Sequence, residues 1–178
     1  YMEQALVRNA EVAALLVALF YARCMPGRDG GEGGGDATAL SARIETALKD
    51  VPSLDDDRII RRFRNVIENV LRTNFWQRDG GETTATESDG KNGGFKPYVV
   101  LKLDSGRLDE LPAPRPWREI FVYSPAVEGV HLRFGPIARG GIRWSDRRED
   151  FRTEILGLVK AQQVKNAVIV PVGAKGGF

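Results

Sequence analysis

The sequence predicts an α+β / α/β fold: an N-terminal helical segment followed by the beginning of a mixed α/β domain. Three observations lead there. Apolar residues recur at three- and four-residue spacing over the first 77 positions. From residue 98 onward short β-branched and aromatic runs take over. Between the two lies a polar, glycine-rich stretch, 78–95, of the kind that separates domains. The expected organisation is therefore a helical segment at 1–77, a linker at 78–95, and the first part of an α/β domain at 96–178.

The first helix is expected over 2–24, with Leu6, Ala10, Ala13, Leu16, Val17 and Phe20 forming its stripe and Pro26-Gly27 ending it. In the stretch 27–36 six of ten residues are glycine. Acidic residues are interleaved there and no lysine closes the run, so it reads as a flexible surface loop and not as a phosphate cradle. A second helix follows over 37–50, with Leu40, Ile44 and Leu48 on one side. Pro52 breaks it. Ser53 and Asp56 make a capping pattern for a third helix over 55–76, whose stripe is Ile59, Phe63, Val66, Ile67, Val70 and Leu71. Arg58, Arg61, Arg62, Arg64 and Arg72 lie mostly off that stripe. No stacking aromatics or reading motif accompany them, so a solvated or interdomain face is preferred over a nucleic-acid surface.

Strands are expected at 98–103, 119–123 and 129–133. His131 alternates with Val130 and Leu132 and is placed facing away from the core. Asp146 and Glu149 suggest a capping box opening a helix over 147–166, with Phe151, Ile155, Leu158 and Val159 inward. The run 167–172, AVIVPV, reads as a strand buried on both faces, and 173–177, GAKGG, as the loop leaving it.

Composition bounds the function. Of 178 residues 42% are hydrophobic and 28% charged, an ordinary globular balance. The longest apolar run, 12–21, is about half of a membrane span, and no membrane association is expected. One cysteine, Cys24, excludes an internal disulfide framework and fits a reducing, cytoplasmic setting; with one histidine beside it, no protein-built zinc site is expected. The net charge of +2 conceals an asymmetry: 131–178 holds nine Lys/Arg against four Asp/Glu, whereas the rest holds 17 against 20. The positive field thus concentrates at the end of the chain, which suits an anion. Both ends are expected to be cut, since residue 1 already lies in a helical pattern and Phe178 follows Gly-Gly.

Within 135–178 the basic residues sit beside glycines. Arg139-Gly140-Gly141-Ile142-Arg143 is one such group, Val164-Lys165-Asn166 a second basic point, and Gly173-Ala174-Lys175-Gly176-Gly177 the third. Glycines allow close backbone approach. Arginine suits a carboxylate fork, and a lysine among other cations has its pKa pushed down, so that it can exchange a proton near neutrality. Separated basic groups of this kind suit a dicarboxylate. A non-catalytic module binding anions or nucleic acid through the same basic stretch is the alternative.

The stretch EIFVYSPAVEGVHLRFGPIARGGIRWSDRREDFRTEILGLVKAQQVKNAVIVPVGAKGGF closely resembles the large bacterial NAD-specific glutamate dehydrogenases. Weaker similarity runs back through RIIRRFRNVIENVLRTNFWQ and VAALLVALFYARCMPGR. The resemblance implies oxidative deamination of L-glutamate to 2-oxoglutarate and ammonia, with NAD reduced. By position Lys175 resembles the family's catalytic lysine and Lys165 the lysine that grips the α-carboxylate. Arg139, with Gly140, Gly141 and Arg143, stands where the small hexameric enzymes have K-G-G-x-R for the side-chain carboxylate; arginine there keeps the charge but changes the geometry. It also implies that the catalytic aspartate and the NAD-binding domain lie beyond residue 178, since no G-x-G-x-x-G occurs here. The piece alone is then expected to be inactive, and the full-length enzyme a homo-oligomer. No nucleic-acid partner and no metal are expected.

Overall fold

The computed structural model describes residues 1–26, 33–78, 94–136, 140–147, 149–166 and 174–177, and for 33–35, 162–166 and 174–177 it describes the backbone. The chain divides into two compact units, Tyr1–Val70 and Leu71–Phe178.

The first unit is helical. Helices α1 (Met2–Arg8) and α2 (Ala10–Cys24) replace the single expected helix. They meet at Asn9 at an angle of 107°. The cause is long-range. Asp56, 48 positions after Arg8, accepts hydrogen bonds from Arg8 Nε at 3.0 Å and Nη2 at 2.6 Å, and from Asn9 Nδ2 at 3.0 Å. No local spacing signals that clamp. The break also turns the buried stripe of α2 to Val12, Leu16, Leu19 and Ala22, leaving Val17 exposed. No single helix among the described residues is long and apolar enough to cross a membrane.

Helix α3 (Gly33–Ala47) runs into a 3-10 turn at Leu48–Asp50, and α4 (Leu54–Glu68) follows. Ser53 caps α4 as expected, its hydroxyl accepting the Asp56 N–H at 3.3 Å. The core gathers Val12, Leu16 and Leu19 from α2, Leu40 and Ile44 from α3, and Ile60 from α4. Ile60, not Ile59, is the fully buried isoleucine of α4. Off the core side, Arg61 pairs with Asp57 and Glu45, and Arg64 with Glu45 and Glu68.

Helix α4 ends at Glu68, eight residues short of the expected 76, and Val70–Thr73 is a strand, β1. Val70 and Leu71, expected on a helical stripe, are β-competent residues captured by sheet pairing, which overrides a weak local preference.

The second unit is built on a sheet of order β1-β2-β3-β4-β6-β5. Strands β2 (Val99–Leu103), β3 (Arg118–Tyr123) and β4 (Glu128–Arg133) fall where the alternation predicts them, antiparallel throughout. Arg78 and Phe95 pair across the two ends of the polar stretch, and the Arg78 guanidinium lies 5.1 Å from the Phe95 ring centroid. Strand β5 (Ile142–Arg143) and helix α5 (Phe151–Asn166) lead to β6 (Ala174–Gly177). Helix α5 starts four residues later than the expected 147. It packs on β4 and β6, and Ile155, Leu156 and Val159 close a core with Val130 and Leu132. His131 is half-buried between those two core residues, on the opposite face as expected. Residues 167–172, expected as a strand, lie outside the described residues. Residues 174–177, expected in a loop, are extended and paired on both sides: the glycines have low strand propensity, and the neighbouring strands supply what propensity does not.

Candidate functional site

Strand β6 is the centre of the basic, glycine-punctuated region. It runs antiparallel to β4, with Lys175 in register with Leu132, Gly176 with His131 and Gly177 with Val130. On its other side it runs parallel to β5, Gly176 against Ile142 and Gly177 against Arg143. The backbone of Lys175 therefore lies one residue from the point where β4, β5 and β6 are all joined. Gly140 and Gly141 form the exposed approach to β5.

The sheet thus brings Gly140, Gly141 and Arg143 beside the strand of Lys175. Lys165 lies in the last turn of α5, on the helix that packs against β6. Arg139 lies outside the described residues. The side chains of Lys165 and Lys175 are not described.

The two strands that run parallel end at the same side, at Arg143 and Gly177. Ligands of sheets with parallel strands gather beyond carboxyl ends. Beyond Arg143, residues Trp144, Ser145 and Asp146 line a half-open cavity of about 490 Å³, with Tyr123, Val127 and Phe151 on its other walls. Among the described residues no group of three His, Cys, Asp or Glu side chains could hold a metal ion.

Two ion pairs seat the elements of this region. Arg152, at the start of α5, donates Nε to Glu119 Oε1 at 2.8 Å and Nη2 to Oε2 at 2.7 Å. Glu119 is a buried carboxylate on β3, and its presence holds the Arg152 guanidinium charged. On the next turn-face, Arg143 Nε lies 3.0 Å from Glu154 Oε1, and the Ser145 hydroxyl donates to Glu154 Oε2 at 2.8 Å. Burial, and then the nearby Arg133, push the His131 pKa below that of a free imidazole.

Sequence reasoning did not find Glu119, Arg152 or Glu154. The available signal was modest: Glu154 is one of only four acidic residues in the basic stretch 131–178. Glu119 is a carboxylate within an apolar alternation, where a charge requires a partner.

A family model described as "Bacterial NAD-glutamate dehydrogenase, catalytic domain" matches residues 43–178. The chain belongs to the bacterial NAD-glutamate dehydrogenase family. Proteins named NAD-specific glutamate dehydrogenase from Halomonas elongata and Mycobacterium tuberculosis are each 52% identical to it over 178 residues, all of this chain. One from Neurospora crassa is 32% identical over 142 residues, 74% of this chain. The chain spans about a tenth of the length of the bacterial relatives, 10% of each. The match to the glutamate dehydrogenase model starts within α3 and takes in α4 and the entire second unit. The ion-paired mounting of α5 and the β5-β6 junction both lie inside it.

Proposed function

We propose that this chain supplies the substrate-holding part of an NAD-dependent glutamate dehydrogenase, which oxidises L-glutamate to 2-oxoglutarate and ammonia. The single observation that carries the reading is the match of residues 43–178 to the family's catalytic domain. The geometry supports it: β5 and β6 bring Gly140, Gly141 and Arg143 beside the strand of Lys175, on a sheet packed by the helix of Lys165.

In this reading Lys165 binds the α-carboxylate of glutamate. Arg139 and Arg143, with the open backbone of Gly140 and Gly141, receive the side-chain carboxylate. Lys175 acts at the reacting carbon. NAD, when bound, would supply the acceptor for the hydride that leaves that carbon as the amine loses a proton. Water then adds to the resulting imine and ammonia leaves, with Lys175 activating the water or polarising the developing carbonyl. The enzyme so described works in amino-acid catabolism, in the cytoplasm, as a homo-oligomer, without nucleic acid or membrane partners. The alternative reading as a basic binding module through the same stretch has less to stand on, because residues 43–178 match the family's catalytic domain.

The test is direct. The full-length protein, given L-glutamate and NAD, is expected to form NADH and 2-oxoglutarate in equal amounts. Lys165→Ala is expected to raise KM for glutamate by tenfold or more, about 1.4 kcal/mol of binding, and to leave KM for NAD unchanged. Wild-type protein that forms no NADH from glutamate would overturn the proposal.

A further inference from the structure

We propose that Glu154 is a positioning residue for the substrate site: its carboxylate ties the Gly140–Ser145 segment to helix α5. The proposal rests on the glutamate dehydrogenase reading above. It starts from a weakness in the fold. Strand β5 has two residues, and both are exposed, Ile142 at 72% and Arg143 with 59% of its side chain open. Burial therefore does little to hold it. Among the described residues its ladder to β6 has two register pairs and it stands last in the strand order, and so short a strand at such a position frays. Yet it is the element that fixes the direction of Gly140-Gly141 beside Lys175.

Glu154 supplies the missing constraint. Its side chain is 16% exposed, and both oxygens are engaged on this segment: Oε1 with Arg143 Nε and Oε2 with the Ser145 hydroxyl. The hydroxyl has one proton, which goes to Glu154. Its oxygen in turn accepts the Arg147 N–H at 3.2 Å. The segment is thus held at two points two residues apart, which fixes its orientation as well as its distance.

The post itself cannot drift. The next residue, Ile155, is fully buried, Leu156 and Val159 join the same core, and two positions earlier Arg152 is forked onto Glu119 of β3. Helix α5 is thereby mounted on one strand by its arginine and holds another by its glutamate. Both oxygens of this carboxylate are engaged by protein partners. It acts through what it holds.

Three full-length proteins are compared: wild type, Glu154→Gln and Glu154→Ala. Amide hydrogen exchange over 140–147 reads the tether, and steady-state kinetics reads its consequence. In Glu154→Ala exchange in that segment is expected to quicken by about tenfold. KM for glutamate rises by about tenfold, while kcat stays within about threefold. KM for NAD and Tm are unchanged. Glu154→Gln, which keeps an acceptor for Ser145 but loses the charge facing Arg143, falls between. Unchanged exchange over 140–147 overturns the proposal, as does faster exchange with an unchanged KM for glutamate. A joint worsening of both KM values, kcat and Tm would show a merely structural residue and overturn it too. These failures differ from failure of the functional reading, in which the wild type itself does not oxidise glutamate.

Discussion

Replacing Arg152 by Met tests how α5 is mounted on the sheet. The side chain of Glu119 is 7% exposed and that of Arg152 29%, and the two meet through a two-bond fork at 2.7 and 2.8 Å. Met keeps much of the arginine's length and apolar stem but leaves a buried carboxylate with no counter-charge. Breaking a fully buried pair in this way costs about 3–5 kcal/mol. Since nearly a third of Arg152 is open to water, solvent can reach the vacated site, and the expected cost is about 2–3 kcal/mol. For a unit of roughly a hundred residues this lowers Tm by about 8–20 °C. In the 178-residue chain all three tryptophans, Trp76, Trp117 and Trp144, lie in the second unit, so in that chain their fluorescence reports its unfolding without a label. The double variant Glu119→Leu with Arg152→Met removes both charges, and is expected to recover to within about 1 kcal/mol of wild type. A single variant within about 0.5 kcal/mol of wild type would refute the argument. So would a double variant as unstable as the single one, because the loss would then come from packing and not from the stranded charge.

Other expectations follow from the same contacts. Ile44 is fully buried in the first unit, and Ile44→Ala is expected to cost about 2–5 kcal/mol, measured by loss of helical ellipticity in urea. Arg8 and Asn9 hold the Asp56 carboxyl below its ordinary value of 3.8. A depressed folded-state pKa gives stability that is present above the unfolded value and lost as pH falls through the folded one. The helical unit should therefore weaken below pH 3.8, and Asp56→Asn, less stable at neutrality, should show a shallower acid loss. His131 has its pKa lowered from 6.5 by burial and by Arg133. The unfolded chain then binds the proton more readily, so stability of the second unit falls as pH drops below 6.5. His131→Gln should flatten that part of the profile read by tryptophan fluorescence.

What was legible in the sequence was whatever neighbours in the chain decide. The alternation of Val130, His131 and Leu132 placed a strand and its faces, and Ser53 placed the start of α4. What was not legible depends on partners far away. Asn9 breaks a helix because of Asp56, 47 positions later. Val70–Thr73 leaves a helical pattern because the sheet accepts it as β1. The stretch Ala174–Gly177 is strand only because β4 and β5 flank it. In the site, the glycines and basic residues were visible as types. The carboxylates that organise them were not, since Glu119 and Glu154 acquire meaning only once β3, β5 and α5 are assembled.

Lys175 carries the central claim. The measurement is kcat/KM for L-glutamate with saturating NAD, in full-length wild-type protein and in Lys175→Ala. Loss of a proton-transferring group that also polarises the reacting carbonyl lowers the rate by about 100- to 10,000-fold, and the variant should still bind glutamate through Lys165. A Lys175→Ala protein that keeps its activity to within about tenfold, under 1.4 kcal/mol of barrier, would contradict the account.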